Sequence, residues 1–410
     1  VIHPPRSLTK WQSTSFTYNM TRCGFFDTPA ATGTQTITGL GFRPTFAMFF
    51  HSMQTTDGAE ADACLNQGYA VEIASVITQH ARSGRSQEGG VAGSTEYGSG
   101  ASQTLCIRGN TTTTTLNLEA ALTEFNDDGF VLNYTTVPAA ATRVFYVAVL
   151  IESLGVGIIP SLALPFGVST PVTGLSFQPQ MVMGMHRGSD SCNLGFGTPG
   201  SEFSMMSRNR DNVAFGFSPE IWSSTGSVFL SGYGGRDDSV NLTAINADGF
   251  SVIKNLITDP RPDFYWLALA DTAASFAAGS FVPPQSGTTT ITGLGFQPAL
   301  LLLIGMQGIG ISSAYNNQLG FRNFFGAVDS DGNQWCCGQN ATTLASQPRY
   351  MSSTSATVRH GQLTNAHTFT FNEDGFDIST VVGAAGTDTC AFLAFGARDS
   401  SGALPLLGVG

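Results

Sequence analysis

The chain has 410 residues and a formal net charge of −11, and only 11% of its residues are charged. Lysine is confined to Lys10 and Lys254, so no cationic cluster exists to displace counterions from nucleic acid or to seat on an anionic membrane. The length suits two to four domains with separate cores. A surface held in water by hydroxyls and amides suits a particle coat, a fibre or a secreted protein better than a cytosolic enzyme.

Residues 1–29 carry Pro4, Pro5, Trp11, Phe16, Tyr18, Phe25 and Phe26 and show no basic stretch followed by an apolar run. They read as an apolar N-terminal arm. It either packs on a partner or completes the first domain as a strand, and both readings stand at this point. No apolar run is long enough to span a bilayer, so no membrane insertion is expected.

From residue 30 a pattern begins that occurs three times. It opens with ITGLGFRP at Ile37–Pro44, VTGLSFQP at Val172–Pro179 and ITGLGFQP at Ile291–Pro298, each followed by an apolar strand. It closes with FNDDGF at Phe125–Phe130, INADGF at Ile245–Phe250 and FNEDGF at Phe371–Phe376, each followed by a further strand and then a final apolar strand. Two signatures in the same order, three times over, predict three modules at 30–152, 165–275 and 281–397, with a tail at 398–410. Pro160–Val168 and Pro283–Gly287 read as linkers.

Each signature has a structural reason. Gly39, Gly174 and Gly293 permit a tight turn. Phe42, Phe177 and Phe296 plug the core beside it, and Pro44, Pro179 and Pro298 fix φ before the next strand. In the closing signature Gly129, Gly249 and Gly375 take positive φ in a hairpin, and Phe130, Phe250 and Phe376 are expected to be buried equivalents. Short Thr-, Val- and Phe-rich segments with Gly-rich turns predict an all-β chain of three tandem homologous β-sandwich (jelly-roll-like) modules. The long variable loops are placed at Met53–Ala70, Gly84–Ser102, His186–Ser201 and Gln307–Gln318. Glu72–Ala81 is the best helical candidate and fits a strand equally.

No catalytic pattern emerges. The six histidines form no HExxH motif, no serine sits in a GxSxG elbow, and no phosphate loop occurs. His186 with Ser189 and Asp190 is a weak hydrolytic set, better read as strand-end residues. The seven cysteines are odd in number and irregular in spacing, which suits small buried hydrophobes more than a disulfide scaffold or a zinc site at Cys336–Cys337. Asp329–Asn333 (DSDGN) resembles the start of a calcium loop, but Asn340 stands where the closing carboxylate belongs, and a plain turn explains it. No cofactor or metal is predicted. Trp222, Tyr233, Tyr315 and Trp335 are the candidate ligand-facing aromatics, within a wider set of Trp11, Tyr69, Tyr97 and Tyr350 whose default place is partial core.

A module that opens with TGxGFxP and closes with NxDGF and a terminal strand resembles one carried by tailed-bacteriophage virion proteins: tail-tip, fibre and head-surface proteins. The matching positions are Thr38–Pro44, Thr173–Pro179 and Thr292–Pro298, with Asn126–Phe130, Asn246–Phe250 and Asn372–Phe376. The resemblance implies a structural protein on the surface of a phage particle, with other virion proteins as partners and a tendency to homo-oligomerise. It implies no catalytic residue. The chain lacks the collagen-like repeat or heptad stem of a long fibre, so a head decoration, spike or tail-tip or baseplate component fits better. One alternative is a glycan- or receptor-binding adsorption protein, with a host surface glycan as partner. Others are a cell-surface or extracellular filament subunit and a polysaccharide-degrading enzyme with two facing carboxylates.

Overall fold

The computed structural model describes residues 17–18, 20–61, 64–85, 97–109, 116–160, 164–186, 191–208, 221–224, 229–232, 237–255, 263–307, 321–341, 349–357, 367–381 and 388–399. Among these the chain is all-β, built from antiparallel sheets. Three large sheets are each accompanied by a small one.

The first large sheet runs Thr21–Asp27, Arg143–Val149, Phe46–His51, Cys64–Ile73, Val76–Arg85, Tyr97–Ser102. Its small sheet runs Gly33–Ile37, Gly129–Thr136, Leu118–Asn126, Ile107–Gly109. The second large sheet runs Ser153–Ile159, Phe264–Ala270, Met181–His186, Ser191–Thr198, Ser201–Arg208, Ile221–Ser224. Beside it lie Thr170–Val172, Gly249–Lys254, Asp237–Asn246 and Phe229–Gly232. The third runs Phe276–Phe281, Asp388–Gly396, Pro298–Gln307, Phe321–Asp329, Gln334–Ala341, Arg349–Ser352, with Thr288–Ile291, Gly375–Thr380 and His367–Asn372 beside it. The first six strands of the three large sheets correspond position for position, and so do the first three of the small sheets, the third small sheet having no fourth strand among the described residues. The third large sheet gains a seventh strand, Gly58–Glu60, lent by the first pair: Arg349, Tyr350 and Met351 pair with Glu60, Ala59 and Gly58.

Burial explains the two kinds of strand. The central strand Phe46–His51 (FAMFFH) is buried at every position, because one face lies on the small sheet and the other on neighbouring large sheets. A strand covered on both sides must be apolar throughout. Leu118–Asn126 in the small sheet alternates buried and open positions, as a strand with one wet face does.

Four cores result. Three lie between a large sheet and its small partner. The fourth joins all three large sheets and includes Phe46, Met48 and Phe50 with Met181, Met183 and Met185 and with Leu300, Leu302 and Ile304. Contacts between pairs run in one direction. Thr21–Asp27 rests on Phe321–Asp329 and Gln334–Ala341, Phe276–Phe281 on Ser191–Thr198 and Ser201–Arg208, and Ser153–Ile159 on Cys64–Ile73. The same edge strand thus meets the same face of the next pair, and the contacts close into a ring of three.

Several segments differ from their sequence-based expectation. Glu72–Ala81 is a hairpin, not a helix: Ile73 pairs with Val76 around Ala74 and Ser75, both at positive φ, the sign pattern of a type I′ turn. β-branched Val71, Ile73, Val76, Ile77 and Thr78 favour it. Met53–Ala70, Gly84–Ser102 and His186–Ser201, expected as loops, contain the strand Gly58–Glu60 and further strand residues from Cys64, Tyr97 and Ser191 onward, concealed by their Ser, Gly and Asn content. Residues 308–318 of the fourth loop lie outside the described residues. The edge strands Thr21–Asp27, Ser153–Ile159 and Phe276–Phe281 begin before the module starts at 30, 165 and 281 set by the signatures.

Candidate functional site

The two signatures of each repeat meet in space. The opening turn carries the chain from the small sheet to the large one, and the tip of the closing hairpin binds it. The Gly39 and Gly41 amides donate to the Asp128 carboxylate at 2.9 and 2.7 Å, and the Leu40 amide donates to the Asp128 carbonyl at 3.1 Å. The third pair repeats this with Gly293 and Gly295 on Asp374 at 2.9 and 2.7 Å and Leu294 on its carbonyl at 3.2 Å. In the second pair Ser176 replaces the second glycine, and the Gly174 amide reaches Asp248 at a long 3.4 Å.

The amides of Gly41 and Gly39, and of Gly295 and Gly293, hold the carboxyls of Asp128 and Asp374 below the usual carboxylate range. A folded value below the unfolded one means stability that is present above about pH 4 and lost as pH falls through the folded value. Asp128→Asn and Asp374→Asn are therefore expected to melt below the parent at pH 7, with the gap closing towards pH 3. Asp248→Asn is expected to shift the melt less. Thermal unfolding across that range checks this.

The junction between the first and last sheet pairs is polar. Asp329, 2% exposed, gathers five donor contacts: Oδ1 accepts from the amides of Asp331 and Asn333 and from Asn333 Nδ2 at 3.1, 3.0 and 3.1 Å, and Oδ2 accepts from the Cys23 amide at 3.0 Å and Asn333 Nδ2 at 2.9 Å. The DSDGN turn thus aims its first carboxylate at its own amides and at the edge strand of the first pair. Among the described residues no group of three or more His, Cys, Asp or Glu is placed to hold a metal ion. Arg22 pairs with Asp331, Arg349 with Glu60 at 2.8 Å, and Asp57 bridges Arg143 at 3.1 Å to the Ser353 amide and hydroxyl at 2.8 Å each.

A cleft of about 520 Å³ opens along this seam. Arg22, Gly24 and Phe25 of the edge strand face Gly332, Asn333 and Gln334 of the turn, with Ser353 and Thr354 beyond. Phe25 is 45% exposed; the Arg143 guanidinium lies 4.5 Å over its ring and Phe145 meets it edge-on. Arg22 Nε and Gln334 Oε1 are buried atoms without a hydrogen-bond partner. A Cβ at Gly24 would stand 2.7 Å from the Tyr146 hydroxyl, so any larger residue there needs that ring to shift.

The expected residues fall into distinct places. Phe130, Phe250 and Phe376 are fully buried, Phe42 and Pro44 are buried with Pro179 and Pro298, and Phe177 and Phe296 are half-buried. Trp335 is not ligand-facing: it is fully buried in the core shared by the three large sheets, stacks on Phe145 at 5.1 Å and Phe50 at 5.3 Å, and donates from Nε1 to the Tyr146 carbonyl at 3.0 Å. Its strand is apolar on that face because a neighbouring pair covers it. Tyr69 and Tyr350 are buried as well. Trp222 lies in the edge strand Ile221–Ser224, paired with Met206; its side chain, like Tyr233, Tyr315, Ser189 and Asp190, lies outside the described residues.

His51 is buried and braced: Nε2–H donates to the Arg108 carbonyl at 3.1 Å and Nδ1 accepts from Asn66 at 3.3 Å. Burial lowers its pKa to about 3, so it stays neutral and structural. Cys23, Cys64, Cys106, Cys336, Cys337 and Cys390 are buried.

Sequence reasoning missed Arg22, Phe25 and Gln334. The signal was the adjacent pair Phe25–Phe26, whose members must face opposite sides of a strand, so that one faces away from the sandwich core. No protein-family model matches the chain, and no curated protein matches it.

Proposed function

We infer that the chain is a non-enzymatic structural protein on the surface of a phage particle, a head decoration, spike or tail-tip or baseplate component. In this reading three homologous β-sandwich (jelly-roll-like) modules take the places of three subunits around one axis. The observation that carries it is the fourth core, where corresponding faces of three corresponding sheets close on one another. Cyclic closure through one repeated contact is how identical subunits assemble. Here one chain supplies it, and the recurring signature residues serve turns and cores, not chemistry. Other virion proteins and further copies of the chain are the partners this reading requires.

Immunogold electron microscopy of particles from the source culture, with antibody to the purified chain, tests it. Labelling of heads supports a decoration or spike, and labelling of tail tips supports an adsorption-apparatus component. Particles that carry no label overturn the assignment.

A further inference from the structure

We propose that the cleft between the edge strand Thr21–Asp27 and the turn Asp329–Asn333 is a binding site for a neutral, hydroxyl-rich glycan. Three observations point to this ligand class. The cleft presents an exposed aromatic ring, Phe25, held in place by Arg143 above one face. A sugar ring has an apolar C–H face that suits such a platform, and large aromatics supply contact area at low entropic cost.

Arg22 and Gln334 also line the cleft, and Arg22 Nε, a donor, and Gln334 Oε1, an acceptor, are buried atoms that lack partners. A buried polar group left unpaired costs free energy, and a ligand that both donates and accepts removes that cost at both atoms once the two side chains turn them toward the cleft. Hydroxyls do both. Asn333, Ser353 and Thr354 add polar groups along the wall.

The charge of the cleft selects against an acidic sugar. Arg22 is neutralised by Asp331, and Arg143 by Asp27 and Asp57. No cation is left unpaired among these for a carboxylate or sulfate. The volume of about 520 Å³ lies within the range of small-ligand sites. The site stands on the seam geometry and does not rest on placement of the chain in a particle.

The test applies the fluorescently labelled full chain to an array of neutral and acidic oligosaccharides. Retention by neutral glycans is expected. Phe25→Ala and Gln334→Ala are each expected to weaken it by about tenfold or more, the scale of losing one aromatic contact or one buried hydrogen bond. Phe25→Trp keeps the platform and is expected to retain binding, which separates loss of the site from loss of the fold; melting temperatures of all variants are measured alongside. No retention by any glycan, retention by acidic glycans alone, or retention unchanged in both alanine variants overturns the proposal. An empty array with labelled particles removes the glycan site and keeps the particle assignment, and the reverse pair of results does the opposite.

Discussion

Trp335→Ala is expected to cost about 3–5 kcal/mol, because it empties the site of the largest fully buried side chain among the described residues. The ring packs between Phe50 and Phe145 of the first sheet pair although it belongs to the third, so its removal opens a cavity on the junction and not within one sandwich. It also leaves the Tyr146 carbonyl without its 3.0 Å donor. Trp335→Phe keeps most of the packing and isolates the hydrogen bond, expected at about 1 kcal/mol. Denaturant unfolding followed by the remaining fluorescence and by circular dichroism checks both. A solvent-facing ligand residue would behave otherwise: its truncation would fall within about 0.5 kcal/mol of zero. A near-neutral Trp335→Ala would therefore place the residue back on a loop surface.

Gly129→Ala is expected to destabilise by about 3 kcal/mol, the upper range for overpacking, because an added Cβ would stand 2.0 Å from the Ile37 carbonyl oxygen. Backbone sits on both sides of that contact, so no side chain can swing away. Gly249 and Gly375 meet Val172 and Ile291 oxygens at 1.9 and 2.0 Å, and their alanine variants are expected to match. Gly39→Ala is the control. Its Cβ would meet nothing within 4 Å, and the cost is the left-handed backbone alone, about 1–2 kcal/mol. Melting temperatures of the four variants decide the order. If Gly39→Ala falls as far as Gly129→Ala, the close approach is not what the closing glycine is for.

These glycines show how far the sequence could be read. Their recurrence announced a hairpin, and the Phe that follows each of them announced a buried position. What pattern could not show is that Asp128 and Asp374 reach across 87 and 79 residues to the amides of Gly41 and Gly295. A turn explanation already satisfied each aspartate locally, so nothing demanded a distant partner. Trp335 was misplaced for a related reason. It sits between Gln334 and Cys336 in a Gly- and Asn-rich stretch that resembles a loop, and only the neighbouring sheet pair makes that face a core. The cleft was hidden because its walls come from opposite ends of the chain, Arg22 and Phe25 on one side and Gln334 and Ser353 on the other.

That ring closure sets the order of events during synthesis. The contacts of Cys23 and Arg22 with Asp329, Asp331 and Asn333 join residues 306 to 310 positions apart. The first two sheet pairs emerge from the ribosome with Met48, Phe50, Met183 and Met185 only partly covered, because the core they share also includes Leu300, Leu302 and Trp335. At a synthesis rate of about 5–20 residues per second, that apolar face waits several seconds or more for the third pair. A truncation before residue 298 is expected to leave that face without the third part of its cover and to aggregate where the 410-residue chain does not.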